Sequence, residues 1–166
     1  MKRFFKTVFL ICLSLIMVMP STAFANEENT EDWQFISIDE EEFNEMLDPY
    51  IVDNTKTRAS GLITIYGISI KKDGNKLLIA GKTYGNADVV KCGFTHVTVQ
   101  RRKNSSYSWS QYTKFEDLYS DSTGYVLTAS ITPQKGYQYR VSCTHYAKKN
   151  IFSTEKIDNI SNIVTM

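Results

Sequence analysis

Two cysteines and two histidines have the residue types and spacings with which this chain could do chemistry. His96 follows Cys92 by four residues and His145 follows Cys143 by two. In an undistorted strand both separations return to the same face. Three chemistries fit such a set. In an oxidising compartment, the pair Cys92 and Cys143 reads first as a disulfide. All four side chains, Cys92, His96, Cys143 and His145, suit tetrahedral zinc by ligand type, although their spacing is not a known zinc signature. A cysteine beside a histidine also makes a nucleophile pair, which needs a free thiolate of low pKa and usually a third group to orient the base. No motif places that third group. Gly-x-Ser-x-Gly, His-Glu-x-x-His and Gly-rich phosphate loops are missing from the sequence. Glu116 and Asp117 are adjacent and would face opposite ways in a strand, while Asp121 falls in a Ser/Asp/Thr turn, so no glycosidase-type carboxylate pair stands out. Neither a catalytic residue nor a cofactor is expected.

The compartment follows from the N-terminus. Met1-Lys2-Arg3 and Lys6 are a positive start, Val8 to Met19 is an apolar run, and Ala23-Phe24-Ala25 supplies small residues where signal peptidase needs them. The run is roughly a dozen residues, against about 20 for a membrane span. Residues 1–25 therefore read as a signal peptide, and the product as secreted, extracellular or wall-associated, with no membrane segment after cleavage. Cys12 has no lipobox and leaves with the signal, so Cys92 and Cys143 are the mature cysteines.

Charge divides what remains. Between Asn26 and Thr55 there are eleven acidic residues and no Lys or Arg; from Lys56 onward there are sixteen Lys and Arg against seven Asp and Glu. The expected organisation is an acidic, partly disordered arm and linker over residues 26–60 and a basic domain over residues 61–166. Within the arm, Asp39 can cap a short helix with Glu42 three residues on, its Phe43, Met46 and Leu47 share a face, and Pro49 ends it.

In the domain the punctuation is that of strands. Leu62 to Ile70, Lys76 to Tyr84, Phe94 to Arg102, Trp109 to Phe115, Tyr125 to Thr132, Tyr137 to Tyr146 and Asn162 to Thr165 are rich in β-branched and aromatic residues. Turns such as Asp73-Gly74 separate them. Seven short strands with no helical stretch between them predict an all-β, seven-stranded antiparallel β-sandwich. Pro133, Gly136 and Tyr137 form the expected structural corner: the proline cannot donate to a ladder, and the glycine permits a sharp turn.

The spacing Ile131-x-Pro133-x-x-x-Tyr137-x-Tyr139-x-Val141-x-Cys143 resembles the E-to-F region of fibronectin type III domains, which share the immunoglobulin-like sandwich. There the corner tyrosine precedes alternating core residues. Phe94-x-x-Val97-x-Val99-x-Arg101 is similar to that family's C strand, although the usual B-strand tryptophan is missing. Val97 to Arg102, Trp109 and Lys135 to Val141 also resemble a group of small secreted proteins of Gram-positive bacteria that form a domain-of-unknown-function family. That resemblance implies secretion and a sandwich, and no activity. In the sandwich it implies, the far end of strand F lies beside the start of strand C. A Cys92–Cys143 disulfide there would close a loop of about fifty residues, worth ~3–4 kcal/mol.

The remaining candidates are for binding. Tyr107, Trp109 and Tyr112 cluster beside Arg101 and Arg102, where aromatics stack on sugars or anchor a protein and the bases meet anionic wall polymers. The function expected is that of a non-enzymatic, secreted binding or structural module. Its partner would be a macromolecule, a wall glycan or a protein, with nucleic acid not expected. The alternative is a hydrolase of wall or matrix polymers without a recognisable motif. Self-association through an edge strand is a third outcome. The acidic arm is expected to fold back and screen the basic domain.

Overall fold

The computed structural model describes residues 33–55 and 61–166. The expected signal peptide, the polar stretch that follows it and the end of the linker lie outside these residues. The described chain is mostly β: two antiparallel sheets stacked face to face, with one short helix. Its strands are β1 (Gln34–Phe35), β2 (Val52–Asp53), β3 (Ile63–Asp73), β4 (Lys76–Gly85), β5 (Lys91–Arg102), β6 (Ser110–Ser120), β7 (Gly124–Ile131), β8 (Gln138–Asn150), β9 (Ser153–Ile160) and β10 (Val164–Thr165), and helix α1 spans Glu40–Leu47. One sheet runs β1-β7-β4-β3-β2. The other runs β6-β5-β8, with β9 and β10 both paired to the free side of β8.

The alternation of side chains that predicts the strands also builds the core. Ile68, Ile70, Leu77, Ile79, Leu127, Ala129 and Ile131 point inward from the first sheet. They meet Phe94, Val97, Val99, Tyr139, Val141 and Cys143 from the second, all buried. The Asp73-Gly74 turn joins β3 to β4, with Gly74 at φ 57°.

The described residues form ten strands where seven are expected, and the three additions have separate causes. β1 and β2 belong to the arm. They are only two residues each, too short for a period-two pattern to register. β9 is missed because a single inward position, Ile157, is apolar; its neighbour Glu155 turns in to accept hydrogen bonds from the Leu62 and Ile63 amides. The last strand is thus split. At the break, Ser161 exchanges hydrogen bonds with Val141 through its backbone N–H and side-chain Oγ. Asn162 reaches across to the other sheet, accepting from the Ile70 amide at 3.0 Å and donating to the Ile70 carbonyl at 2.7 Å. That amide closes part of the β3 edge which β2 leaves open.

The arm crosses the outer face of the first sheet. β1 pairs with β7 on one edge and β2 with β3 on the other. Between them α1 is capped by Asp39, which accepts from the Glu42 amide at 2.7 Å. The helix lays Phe43, Met46 and Leu47 onto Leu78 and Ala80, and a 3-10 turn at Asp48–Tyr50 stops it at Pro49. Gly67 makes this approach possible. A Cβ there would lie 3.0 Å from the Tyr50 carbonyl oxygen and 3.4 Å from a Leu47 methyl. Burial and strand pairing hold the arm, with Lys71–Glu42 at 3.4 Å as the ion pair between them among the described residues.

At the corner before β8, Gly136 takes φ 84° as expected. The hydrogen-bonded tyrosine, however, is Tyr139 and not Tyr137. Its buried hydroxyl accepts from the Gln134 amide at 2.8 Å and donates to the Gln134 carbonyl at 3.0 Å. Tyr139 is an inward residue of β8 and can reach the corner from within the core, whereas Tyr137 precedes the strand and stays half-buried.

Candidate functional site

Strand β8 turns Cys143 and His145 into the core, as their spacing predicts. Thr83 on β4 meets them from the facing sheet. His145 Nδ1 lies 2.7 Å from Thr83 Oγ1, Thr83 Oγ1 donates to the Gly93 carbonyl at 3.1 Å, and Cys143 Sγ lies 3.5 Å from His145 Nε2. The threonine hydroxyl has one hydrogen, and the Gly93 carbonyl takes it. The network therefore assigns Nδ1–H as donor to Thr83 and Nε2 as acceptor from the Cys143 thiol. The Cys92 thiol donates to the Thr83 carbonyl at 3.2 Å. Each hydrogen-bonding side-chain atom of this cluster has a partner with all groups neutral.

Burial enforces that neutrality. It holds the Cys143 thiol far above its ordinary range, with the Asp158 carboxylate adding to the effect. It raises Cys92 to about 11 and lowers His145 to about 3. The His145 ring packs between Tyr66 and Phe94, with centroids 5.0 and 4.8 Å away. A thiolate–imidazolium pair would put two charges in this apolar site with no third group to stabilise them.

The disulfide does not form. Cys92 stands opposite Ala147 and Cys143 opposite Val97. The two cysteines are therefore about four residues apart along β8, roughly 13 Å at strand rise, and a disulfide needs Cα atoms within about 7 Å. Both thiols are free and buried. Nor do the four zinc candidates converge. A bulge at Thr95, with its register shift between Phe94 and His96, reverses the side-chain order along β5. Opposite it on β6, Asp117 sits at φ 58°. Cys92 and Phe94 consequently point in, while His96 points out towards Thr144 and a shallow cleft of ≈ 630 Å³ lined by Ser142, Asp158, Asn159 and Ile160. Among the described residues no three His, Cys, Asp or Glu side chains are placed to hold a metal ion.

The expected binding residues separate into two groups. Tyr112 donates its hydroxyl to the Thr132 carbonyl at 2.9 Å and packs against Tyr139. Arg101 lies over the Tyr112 and Tyr137 rings, 4.7 and 5.1 Å from their centroids, and bonds Gln134 at 2.9 Å. Tyr112 and Arg101 thus brace the corner. Tyr107 is exposed on the β5–β6 loop. Trp109 is engaged: the guanidinium carbons of Arg102 and Arg140 lie 4.4 and 4.3 Å from its ring centroid. Two cations over one indole leave little ring surface for a sugar to stack on.

Two features escape sequence reasoning. Arg140 joins Arg102 at Trp109 only through the β5–β8 register, which pairs Gln100 with Arg140 and Arg102 with Gln138. The β8–β9 hairpin closes on Ile151 and Phe152, 76% and 92% exposed. The residues Asn150-Ile151-Phe152-Ser153 contain a turn-former next to two bulky apolar residues, and that pairing is a signal the sequence does offer. Comparisons with protein-family models, with characterised proteins and with solved structures find no match to this chain.

Proposed function

We propose that the chain is exported, cleaved after Ala25 and used outside the cell as a non-enzymatic binding module of fibronectin type III-like build, gripping a protein partner with the β8–β9 hairpin tip. The order β3-β4-β7 facing β6-β5-β8-β9 supports that family likeness, as does the tyrosine corner at Tyr139. The resemblance to small secreted proteins of Gram-positive bacteria belongs to the same reading. The observation that carries the function is the exposure of Ile151 and Phe152. Two-residue hairpin tips favour Asn, Gly or Asp, which suit the backbone and the solvent. Here the turn is set by Asn150, whose side chain accepts from the Phe152 amide at 2.9 Å; the two apolar side chains contribute nothing to it. Val90 is exposed close by, its amide bonded to the Lys148 carbonyl at 2.8 Å. A protruding apolar tip fits a pocket on a protein, where a buried aromatic anchor carries much of the binding energy.

A photoreactive phenylalanine at position 152 should give a discrete protein adduct from extracellular material, and one at exposed Ile163 should not. Ile151→Ser with Phe152→Ser should abolish capture with the melting temperature unchanged. Flotation of the domain with phosphatidylglycerol vesicles would assign the tip to a bilayer and overturn the reading. So would release of soluble product from wall or matrix polymers by the purified domain.

A further inference from the structure

The outer faces of the two sheets are not equivalent. The arm covers one. The other, formed by β6, β5, β8 and β9, is open and carries Arg102, Lys114, Arg140, Lys148, Lys156 and Lys91 against Glu116 and Asp158. Their outward orientation follows from the register, which sets each of them opposite an outward neighbour. Part of this charge is already satisfied. Lys114 pairs with Glu116, and Lys91 lies 4.0 Å from Asp121. Arg102 and Arg140 are different. No ion pair joins either guanidinium to a carboxylate among the described residues. Each is held through Nε by a neutral glutamine, Arg102 by Gln138 and Arg140 by Gln100, both at 2.8 Å.

We infer that Arg102, Trp109 and Arg140 form a binding site for a tetrahedral oxyanion, a phosphate or sulfate ester carried on a linear polyanion. The glutamines use the Nε atoms and so fix the planes of both guanidiniums, leaving their terminal N–H groups unpaired among the described residues. The Trp109 ring holds both guanidiniums by cation–π contact, 4.4 and 4.3 Å from its centroid. Partial burial, with the charge of Arg102 adding to it, shifts Arg140 towards lower pKa, so a bound anion offsets both the burial of the charge and the repulsion between the arginines. A single carboxylate fills one arginine fork, whereas a tetrahedral group has oxygens for both. A polymer is implied because cations recur along the face. From Arg102 to Lys91, β5 runs about eleven residues, ~36 Å at strand rise, and Lys91 lies opposite Lys148.

The probes are long-chain polyphosphate, dextran sulfate and polyglutamate, each titrated into the full mature chain. The indole N–H resonance of Trp109 should move on adding polyphosphate or dextran sulfate while that of Trp33 stays in place. The preferred one of these two polymers identifies phosphate or sulfate as the group bound. Polyglutamate should bind at least tenfold more weakly, and equal binding would overturn the tetrahedral assignment. Arg102→Gln with Arg140→Gln should weaken polyphosphate binding tenfold or more and reduce its salt slope by about one to two. Lys72→Gln with Lys76→Gln, on the opposite sheet, should change affinity less than twofold. An equal loss from the lysine pair would show diffuse attraction and sink the site. So would a stationary Trp109 resonance at saturation, a test that needs no variant to fold.

Discussion

Cys143, His145 and Thr83 show how far residue types and spacing alone reach. The period of two correctly turns Cys143 and His145 into the core, because β8 is undistorted there. The same rule fails at His96, because the bulge at Thr95 reverses the face and leaves no mark in composition. Thr83 lies 62 residues from His145 in sequence, so only the stacking of the sheets brings it there. Three outcomes follow at this scale. Reduction should leave the mass of the mature chain unchanged, and both thiols should react with a disulfide reagent only in denaturant. His145 titrates near 6.5 when unfolded and near 3 when folded. Between those values the unfolded chain binds a proton that the folded chain does not. Its contribution to stability is therefore complete above pH 6.5 and is lost as the pH falls towards 3, at up to about 1.4 kcal/mol per pH unit. Urea midpoints between pH 7 and 4 should fall more steeply for the wild type than for His145→Gln. At the corner, Tyr139→Phe should cost about 1–3 kcal/mol by stranding the Gln134 amide and carbonyl. Tyr137→Phe should cost much less, which denaturant unfolding of the two variants would resolve.

The elements read most clearly where a pattern has room to repeat. β3, β4, β5, β7 and β8 are long enough for alternation to show. The Asp39 cap with the apolar face of α1 is legible because a capping residue and three spaced side chains suffice. What stayed hidden was the docking of that helix. A helix of eight residues with three apolar positions is only marginal by itself, and nothing in residues 33–53 names the surface that completes it. The sheet supplies the answer at Gly67, a position with no side chain under the 3-10 turn. Gly67→Val should lift the arm, since its Cβ alone would already press on the Tyr50 carbonyl. Limited proteolysis should then cut within residues 50–60 much faster than in the wild type, with stability lower by about 1–3 kcal/mol. A cleavage pattern identical to the wild type would mean that the arm is not seated through Gly67.

For the whole molecule, the division of charge suggested an arm that shields a basic domain, yet the arm lies on the sheet away from the open basic face. Two stacked sheets are about 10 Å apart and a packed helix adds roughly as much. The acids of α1 thus stand some 20 Å from Arg102, Trp109 and Arg140, beyond twice the Debye length of ~8 Å at physiological salt. Screening and docking can therefore be separated by experiment. Glu40→Gln, Glu41→Gln and Glu45→Gln together remove three exposed charges from the arm without touching its buried face. Polyphosphate affinity should change less than twofold at 0.15 M salt and rise only at low ionic strength, where the field reaches around the molecule. Deleting residues 26–55 should act through structure. It uncovers Leu78 and Ala80 and frees the β3 and β7 edges, so the melting temperature should drop by several degrees and size-exclusion chromatography should show self-association. A deletion that stayed monomeric and equally stable, but bound the polymer tenfold tighter at 0.15 M salt, would restore shielding as the purpose of the arm.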